Sequence, residues 1–249
     1  LLSKMTLEEK VGQMTQINID LLMVGEPFNL KVPNELDPEK IDKIIGDYKV
    51  GSILNAGGYT YTREFWYEIH EAINKVALKK TGIPIIYGID AIHGVNYTVG
   101  GTLFPQQLGQ AATWNPELVK QGAAITAYET RASGIPWNFS PVLDLARQPL
   151  WSRYFETYGE DVFLAKKMTV AAIEGYEGDD ISDKEKVASC MKHFLGYSYS
   201  FTGKDRTPVY LHERQLKEYF APTFQAAIDA GAHTAVSYTH LTLPTMRTV

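Results

Sequence analysis

The chain has 249 residues, of which 45% are hydrophobic and 21% are charged, and its formal net charge is −5. This composition is ordinary for a globular protein, and a mild acidity without a basic stripe argues against nucleic acid as the main partner. No apolar run approaches the roughly 20 residues that span a bilayer, so no membrane span is predicted. Cys190 is the single cysteine, which rules out an internal disulfide and any site built from several cysteines.

Strand-like apolar runs alternate with helical periodicities along the chain. The predicted strands lie at 11–17, 50–56, 84–90, 135–143, 187–194 and 234–238, and a long mixed loop covers 18–37. The predicted helices lie at 38–48, 62–82, 115–134, 161–176 and 213–230. Asp37, Thr62 and Asn115 are suited to cap the first three helices, and Pro222 should kink or break the last one.

This alternation predicts parallel βαβ units, and the near-continuous apolar character of the strands indicates that both faces of the sheet are covered. Six strand candidates with five intervening helices fit an open doubly wound sheet. A (β/α)8 barrel would need two more βα units.

Two of the apolar runs finish on ionisable residues, which a buried strand normally lacks. One ends at Asp90 and continues to His93, and the other ends at Lys192 and His193. Because catalytic loops begin at the C-terminal strand ends of a parallel barrel, Asp90, Lys192 and His193 are predicted to form one polar cluster. Taken singly, Asp90 and His93 are better explained as loop residues, and Lys192 and His193 as a surface lysine and a core histidine. Both members of that pair can reach one ligand only if the backbone bends there.

The segment 151–161 is dense in aromatic and charged residues. Arg153 offers a planar fork for hydroxyls, and Trp151 offers a flat apolar face that suits the C–H face of a sugar ring. Glu156 is a further candidate for sugar binding. The alternative is a packed aromatic loop in which Glu160 and Asp161 stand at a helix N-terminus, and for these two residues that alternative is preferred.

Several common catalytic patterns are missing. Gly57-Gly58 and Gly100-Gly101 do not have the spacing of a phosphate-binding loop, and no nucleophile elbow or His-Glu-x-x-His motif occurs. Asp90, His93 and His193 could be imagined as metal ligands, but a lysine beside His193 would repel a cation. No cofactor and no metal are therefore predicted.

An ordered set of segments resembles the first domain of glycoside hydrolase family 3, and within it the β-glucosidases. The segments are KMTLEEKVGQMTQ at 4–16, KVGSIL at 49–54, GIPIIYGIDAIHG at 82–94, TLFPQ at 102–106, ATWNPEL at 112–118, SPVLDLARQPLWSRYFETYGED at 140–161, CMKHFLGY at 190–197 and GKDRTP at 203–208. The resemblance covers about residues 4–235 and implies a (β/α)8 barrel of the TIM type or a variant of it, here incomplete, with about six of its eight βα units present.

The resemblance also implies a function and a set of site residues. It implies a retaining, exo-acting hydrolase that removes terminal β-D-glucosyl residues from oligosaccharides or β-glucosides. Asp90, Arg153, Lys192 and His193 match the residues that hold hydroxyls of the terminal sugar in this family. The continuation of the Lys-His pair as Phe-Leu-Gly-Tyr favours glucose or a similar neutral sugar over N-acetylglucosamine. A periplasmic or extracellular location is common in the group, and no oligomeric state is predicted.

The chain departs from the family pattern in two ways. A retaining mechanism needs a nucleophile and an acid/base carboxyl about 5–5.5 Å apart. The nucleophile motif is missing, and so is the second domain that usually supplies the acid/base. Neither role is assigned, although Asp144 and Asp205 are carboxylates in matched segments. Residues 236–249 do not resemble the family, so a truncated domain over 1–235 with an artefactual tail is expected.

The predicted truncation has consequences for folding and activity. The chain by itself is predicted to be marginally folded or insoluble, and inactive, because missing strands remove core and leave sheet edges unpaired. The remaining hypotheses are a non-catalytic sugar-binding module, a β-xylosidase of the same family, and an unrelated metal-dependent barrel hydrolase.

Overall fold

A computed structural model describes residues 1–238, in two compact units. The first unit contains residues 1–90, 96–101 and 132–137, and the second contains 91–95, 102–131 and the described chain from 138 onward. The predicted boundary at residue 235 stays a prediction, because residues 239–249 of the predicted tail lie outside the described part.

The first unit is built on three parallel strands. Its elements are α1 Leu7–Gln13, β1 Gln16–Asn18, β2 Gly25–Glu26, β3 Asn29–Leu30, α2 Pro38–Ile41, β4 Ser52–Leu54, α3 Arg63–Lys80 and β5 Ile86–Ile89. β4 pairs in parallel with β1 on one side and with β5 on the other, and β2 and β3 form a small antiparallel hairpin. The main strands therefore end at a common edge, where Asn18 is opposite Leu54 and Leu54 is opposite Gly88.

The caps predicted for this unit are present. The Asp37 carboxylate accepts hydrogen bonds from the first turn of α2, which continues as a π-helix over Asp42–Asp47. The Thr62 hydroxyl accepts a hydrogen bond from the backbone of Phe65 and starts α3. Trp66, Ile69 and Ile73 of α3 are fully buried and lie at the helical spacing of one core-facing side.

The predicted strand at 11–17 is wrong over most of its length. Thr6 and Glu9 form a capping box, with hydrogen bonds of 3.0 and 3.2 Å, and start a helix that runs to Gln13. The strand occupies only Gln16–Asn18. The capping signal at the chain start outweighs the β propensity of the short apolar run that follows it.

The second unit begins with two helices, α4 Gln107–Ala111 and α5 Pro116–Ala132, whose last residue is in the first unit. The chain crosses between the units within β6 Trp137–Asn138 and continues through α6 Val162–Glu177, β7 Ala188–Lys192, α7 Glu213–Gln215, α8 Ala221–Asp229 and β8 Thr234–Val236. β7 and β8 are parallel, and Lys192 also bridges in parallel to Val142. The core of this unit includes Trp151, Met168 and Tyr197.

Two proline residues limit the elements here. The strand predicted at 135–143 is only two residues long, since Pro141 has no N–H for a strand ladder. Pro222 stands in the first turn of α8, directly after the π-helix Leu216–Phe220 that follows α7. No break occurs at Pro222, since helical backbone runs continuously over 213–229, and the structure shows a change from π-helix to α-helix just before the proline. A proline cannot donate the backbone hydrogen bond of a regular α-helix, which agrees with the π-helical turn at this point.

Strands of the main sheet alternate with helices along the chain, as βαβ units require. The described residues contain six such strands, β1 and β4 to β8, which agrees with an incomplete (β/α)8 barrel. Within residues 1–238, none of the helices combines the length and the apolar character that crossing a bilayer requires.

Candidate functional site

The polar cluster of the second unit begins where β7 ends. Lys192 is the last residue of the strand and His193 follows it, and their exposed fractions are 4% and 0%. Lys192 is held in the sheet through its backbone, since its carbonyl accepts a 2.6 Å hydrogen bond from Leu143. A buried lysine and a buried histidine are costly in an apolar core unless polar partners compensate for the lost solvation.

Asp144 fixes the orientation of His193. The same carboxylate oxygen, Oδ2, lies 2.7 Å from His193 Nδ1 and 3.0 Å from its backbone nitrogen, and both side chains are completely buried. Burial lowers the pKa of His193, and the hydrogen bond to Asp144 only partly opposes that effect. The imidazole is therefore neutral at pH 7, with its proton on Nδ1 facing the carboxylate.

This arrangement leaves the other ring nitrogen as an acceptor. His193 Nε2 is buried and has no hydrogen-bond partner among the described residues, and the same holds for Asp144 Oδ1. An unpaired buried acceptor costs free energy unless a ligand supplies a donor. A sugar hydroxyl is a donor of the right kind for a neutral imidazole nitrogen.

Arg153 is oriented by Glu156 through two parallel hydrogen bonds. The Nε–Oε1 distance is 2.8 Å and the Nη2–Oε2 distance is 2.7 Å, and the side chains are 19% and 13% exposed. Burial alone would lower the pKa of Arg153, but the Glu156 carboxylate outweighs it and raises the pKa above the usual value. The remaining amino group, Nη1, lies 3.4 Å from the Tyr238 hydroxyl.

Aromatic side chains surround these polar groups. Tyr238 stacks on the His193 ring with centroids 4.7 Å apart, and Tyr197 meets the same ring edge-on at 4.9 Å. The Trp151 indole packs edge-on against Tyr197 and is almost fully buried. The face of Trp151 is thus part of the core, which favours the packed-loop interpretation of this residue over direct stacking on a sugar.

Asp205, in the loop at 203–208, accepts hydrogen bonds from two of these aromatic side chains. Its Oδ1 atom accepts a short hydrogen bond from the Tyr197 hydroxyl and a 3.3 Å bond from Trp151 Nε1. Burial raises the pKa of Asp205, but these hydrogen bonds and the nearby Arg153 outweigh it, so the pKa lies below its usual value. Asp205 is therefore an ionised acceptor that holds the wall of the site.

Asp90 belongs to the first unit. It follows β5 directly, two residues beyond Gly88, and is half-buried beside Tyr97. Burial, with a smaller contribution from Asp90, raises the pKa of Tyr97 to about 12. The expectation that Asp90 acts together with Arg153, Lys192 and His193 stays a prediction.

The preferred loop interpretations are confirmed for two residues. His93 Nδ1 lies 2.9 Å from the backbone carbonyl of Phe104. Asp161 caps α6, with its carboxylate accepting a 2.7 Å hydrogen bond from the backbone of Leu164. Among residues 1–238, no group of three or more His, Cys, Asp or Glu side chains is arranged to hold a metal ion.

Sequence reasoning did not find several members of the site. Asp144 was noted only as a carboxylate without a role, and Tyr197 and Tyr238 were not singled out. A signal for Asp144 was present, because it is an acidic residue inside the apolar run PVLDLA and must therefore be buried. Tyr238 gave no such signal, since tyrosine is common in both cores and surfaces.

The family profile described as "Glycosyl hydrolase family 3 N terminal domain" matches residues 6–248. The lysosomal beta glucosidase of Dictyostelium discoideum is 40% identical over 94% of this chain, and the periplasmic beta-glucosidase of Salmonella typhimurium is 32% identical over 93%. A beta-xylosidase of Formosa agariphila is 38% identical over 62% of the chain. The chain spans only 30%, 27% and 22% of the length of these three relatives.

Solved structures show the same fold. The exo-1,3/1,4-beta-glucanase from a Pseudoalteromonas species superposes with a TM-score of 0.81 and 29% identity, over 95% of this chain and 29% of that one. The predicted fold class, an incomplete (β/α)8 barrel, is confirmed, and so is the predicted family resemblance.

Proposed function

Because the chain belongs to the family of glycosyl hydrolase family 3 N-terminal domains, a glycoside hydrolase family, we propose that it carries the terminal-sugar site of a β-glucosidase. The full-length protein would act as a retaining, exo-acting enzyme on terminal non-reducing β-D-glucosyl residues. Asp90, Arg153, Lys192 and His193 would hold the hydroxyls of that sugar.

The single observation that carries this proposal is the buried acceptor at His193. The neutral imidazole of His193, protonated on Nδ1 next to Asp144, leaves Nε2 as an acceptor for a sugar hydroxyl, and Lys192 at the same strand end is a candidate donor. The guanidinium of Arg153 adds a planar donor that Glu156 keeps in place. Donors and an acceptor together can bind several neighbouring hydroxyls of one pyranose. A phosphate site would need only donors, and a metal site would need only acceptors.

The catalytic carboxyl groups are proposed to lie outside these 249 residues. Retention needs a nucleophile and an acid/base at a separation of about 5–5.5 Å, and no residue of this chain is assigned to either role. The chain alone is therefore expected to bind sugar weakly and to cleave nothing. A periplasmic or extracellular location is proposed from the location named for the Salmonella relative.

Activity assays on two proteins test the proposal. The full-length protein that contains this chain should hydrolyse a chromogenic β-glucoside, whereas the 249-residue chain should not. Asp90→Asn in the full-length protein should lower kcat/KM by roughly 10- to 150-fold, which is the loss of a charged hydrogen bond worth about 1.5–3 kcal/mol. Unchanged kinetics of the Asp90→Asn protein would show that Asp90 is not part of the site. Cleavage by the isolated 249-residue chain would contradict the proposal that the catalytic carboxyl groups lie outside it.

A β-xylosidase is the second candidate, because one of the relatives carries that name. The two activities differ in a single hydroxymethyl group on the sugar, so chromogenic β-xyloside and β-glucoside should be compared on the same preparation. A higher kcat/KM on the xyloside would favour the xylosidase. Binding of glucose without hydrolysis by the full-length protein would favour a non-catalytic sugar-binding module, and loss of activity with a chelator would favour a metal-dependent hydrolase.

A further inference from the structure

The first unit contains a groove that the terminal-sugar site does not use. It has a volume of about 540 Å³ and is formed by the segments that follow β1 and β4. Asn18, Asp20, Phe28, Gly57 and Tyr59 are among the residues that line it. Loops at the C-terminal strand ends are the functional face of an α/β barrel, so this groove lies where ligands are bound.

Gly57 lies in the floor of the groove, where close packing leaves no space for a side chain. A Cβ atom there would lie 2.7 Å from the Asn34 side-chain oxygen and 2.7 Å from the Tyr61 hydroxyl. The same two residues hold the loop in place, because the Gly57 N–H donates to the Tyr61 hydroxyl at 2.7 Å, and that hydroxyl donates to Asn34 at 2.7 Å. The floor is therefore a rigid, hydrogen-bonded surface.

Two aromatic side chains stand at the rim of this floor. Phe28, at the tip of the β2–β3 hairpin, is 98% exposed, and Tyr59 is 51% exposed. Phe28 also has a positive φ of 67°, which is unusual for a bulky residue and must be imposed by the hairpin. A phenylalanine held in strained backbone with its ring in water is not explained by packing, and such strain is common at ligand sites.

The rest of the lining is mixed, with polar groups from Asn18, Asp20 and Asn29 and apolar ones from Leu30, Val32 and Ala56. Asn18 and Asp20 contribute an amide and a carboxylate, and the Asn18 side-chain oxygen accepts a 3.2 Å hydrogen bond from the backbone of Asp20. Aromatic rings bind the C–H faces of sugar rings, and carboxylates and amides bind their hydroxyls. We propose that this groove is a subsite for an additional glucosyl unit of a β-linked oligosaccharide, with Phe28 and Tyr59 as the stacking platform.

The position of the groove within the first unit supports an oligosaccharide ligand. Asn18, Leu54 and Gly88 are register partners on three adjacent parallel strands, and Asp90 follows Gly88 by two residues. Neighbouring strands are about 4.8 Å apart, so the edge from β1 to β5 spans roughly 10 Å. Asp90 and the groove thus lie on one sheet edge at a separation that a short sugar chain can bridge.

This inference rests on the proposed function, since it adds a subsite to the same substrate chain. It is tested with the full-length protein by measuring kcat/KM for a chromogenic β-glucoside and for β-1,3- and β-1,4-linked glucose oligomers of two to five units. Phe28→Ala and Tyr59→Ala should each lower kcat/KM about 2- to 12-fold for the longer oligomers and much less for the monoglucoside. Phe163→Ala, which removes an exposed ring from α6 of the second unit, is the matched control and should change neither value.

The outcomes separate the two proposals. If the monoglucoside is not cleaved by the unaltered protein, the proposed function fails. If it is cleaved but the two variants affect all substrates equally, the subsite is overturned while the proposed function stands. A fall in the thermal midpoint of Phe28→Ala without any change in dependence on oligomer length would show that the ring contacts another part of the protein, which also overturns the subsite.

Discussion

Replacing Asp144 by alanine tests the central contact of the candidate site. The substitution removes the acceptor of two hydrogen bonds from His193, at 2.7 and 3.0 Å, in a place that water does not reach. A hydrogen bond to a charged group contributes about 1.5–3 kcal/mol, and part of that gain is offset by the cost of burying the carboxylate. We expect a net loss of about 3 kcal/mol in the free energy of unfolding.

The loss is large enough to measure. One kcal/mol lowers the thermal midpoint of a domain of this size by about 2–4 °C, so Asp144→Ala should lower it by roughly 6–12 °C. Asp161→Ala is the matched control, because it removes an exposed aspartate that caps α6 with a single hydrogen bond. Its expected cost is about 1 kcal/mol. Both variants should be made in the full-length protein and followed by thermal unfolding.

A second variant separates stability from positioning. Asp144→Asn keeps the size of the side chain but removes the negative charge that opposes the burial-induced fall in the pKa of His193. The pKa should fall further, so the acidic limb of the KM–pH profile for the β-glucoside should move to lower pH. An Asp144→Ala protein as stable as the control, or an Asp144→Asn protein with an unshifted profile, would refute the assigned role of Asp144.

Three further predictions concern the same unit. Burial holds the pKa of His193 below its ordinary value of 6.5. The neutral form of His193 therefore contributes to stability above pH 6.5, and this contribution should be lost as the pH falls through the lowered pKa. Urea unfolding at several pH values measures this loss. Glu156→Gln removes the charged partner of Arg153 and should cost about 1–3 kcal/mol and raise KM; an unchanged KM would mean that the orientation of Arg153 is irrelevant. Glu177→Gln disrupts a buried acceptor of hydrogen bonds from Ser189 and His233, and should lower the free energy of unfolding by about 2 kcal/mol. Glu174 lies on the same helix but is exposed, so Glu174→Gln should lower it by less than about 1 kcal/mol. Thermal unfolding of both variants in parallel compares the two losses.

The parts of the fold that were predicted correctly depend on local interactions. Asp37 and Thr62 cap their helices through backbone groups two or three residues away, so the sequence pattern alone contains the whole contact. The change of helix type next to Pro222 is local for the same reason. The strand predicted at 11–17 does not form over most of its length because the capping box at Thr6 starts a helix there, which is also a local interaction.

The site was predicted only in part. The end of an apolar strand indicates Lys192 and His193, and the aromatic segment 151–161 indicates Arg153. In the structure Arg153 and His193 both contact Tyr238 in the second unit. The sequence does not show that Glu156 orients Arg153 through hydrogen bonds. It also does not show that Trp151 is buried in the core and does not present its ring face to a ligand. Both facts depend on the packing of the loop at 151–156 against Tyr197.

The amino-acid sequence by itself determined the alternation of strands and helices, the positions of most helix starts and the family of the chain. Only the tertiary structure decided that Asp144 binds His193 from 49 residues away and that Tyr238 reaches Arg153 across 85 residues. Helix caps and hydrophobic periodicity depend on residues only a few positions apart, so a short stretch of sequence is enough to predict them. The protonation state and orientation of a buried histidine depend on whichever distant side chains the fold packs against it, and local sequence patterns do not contain that information.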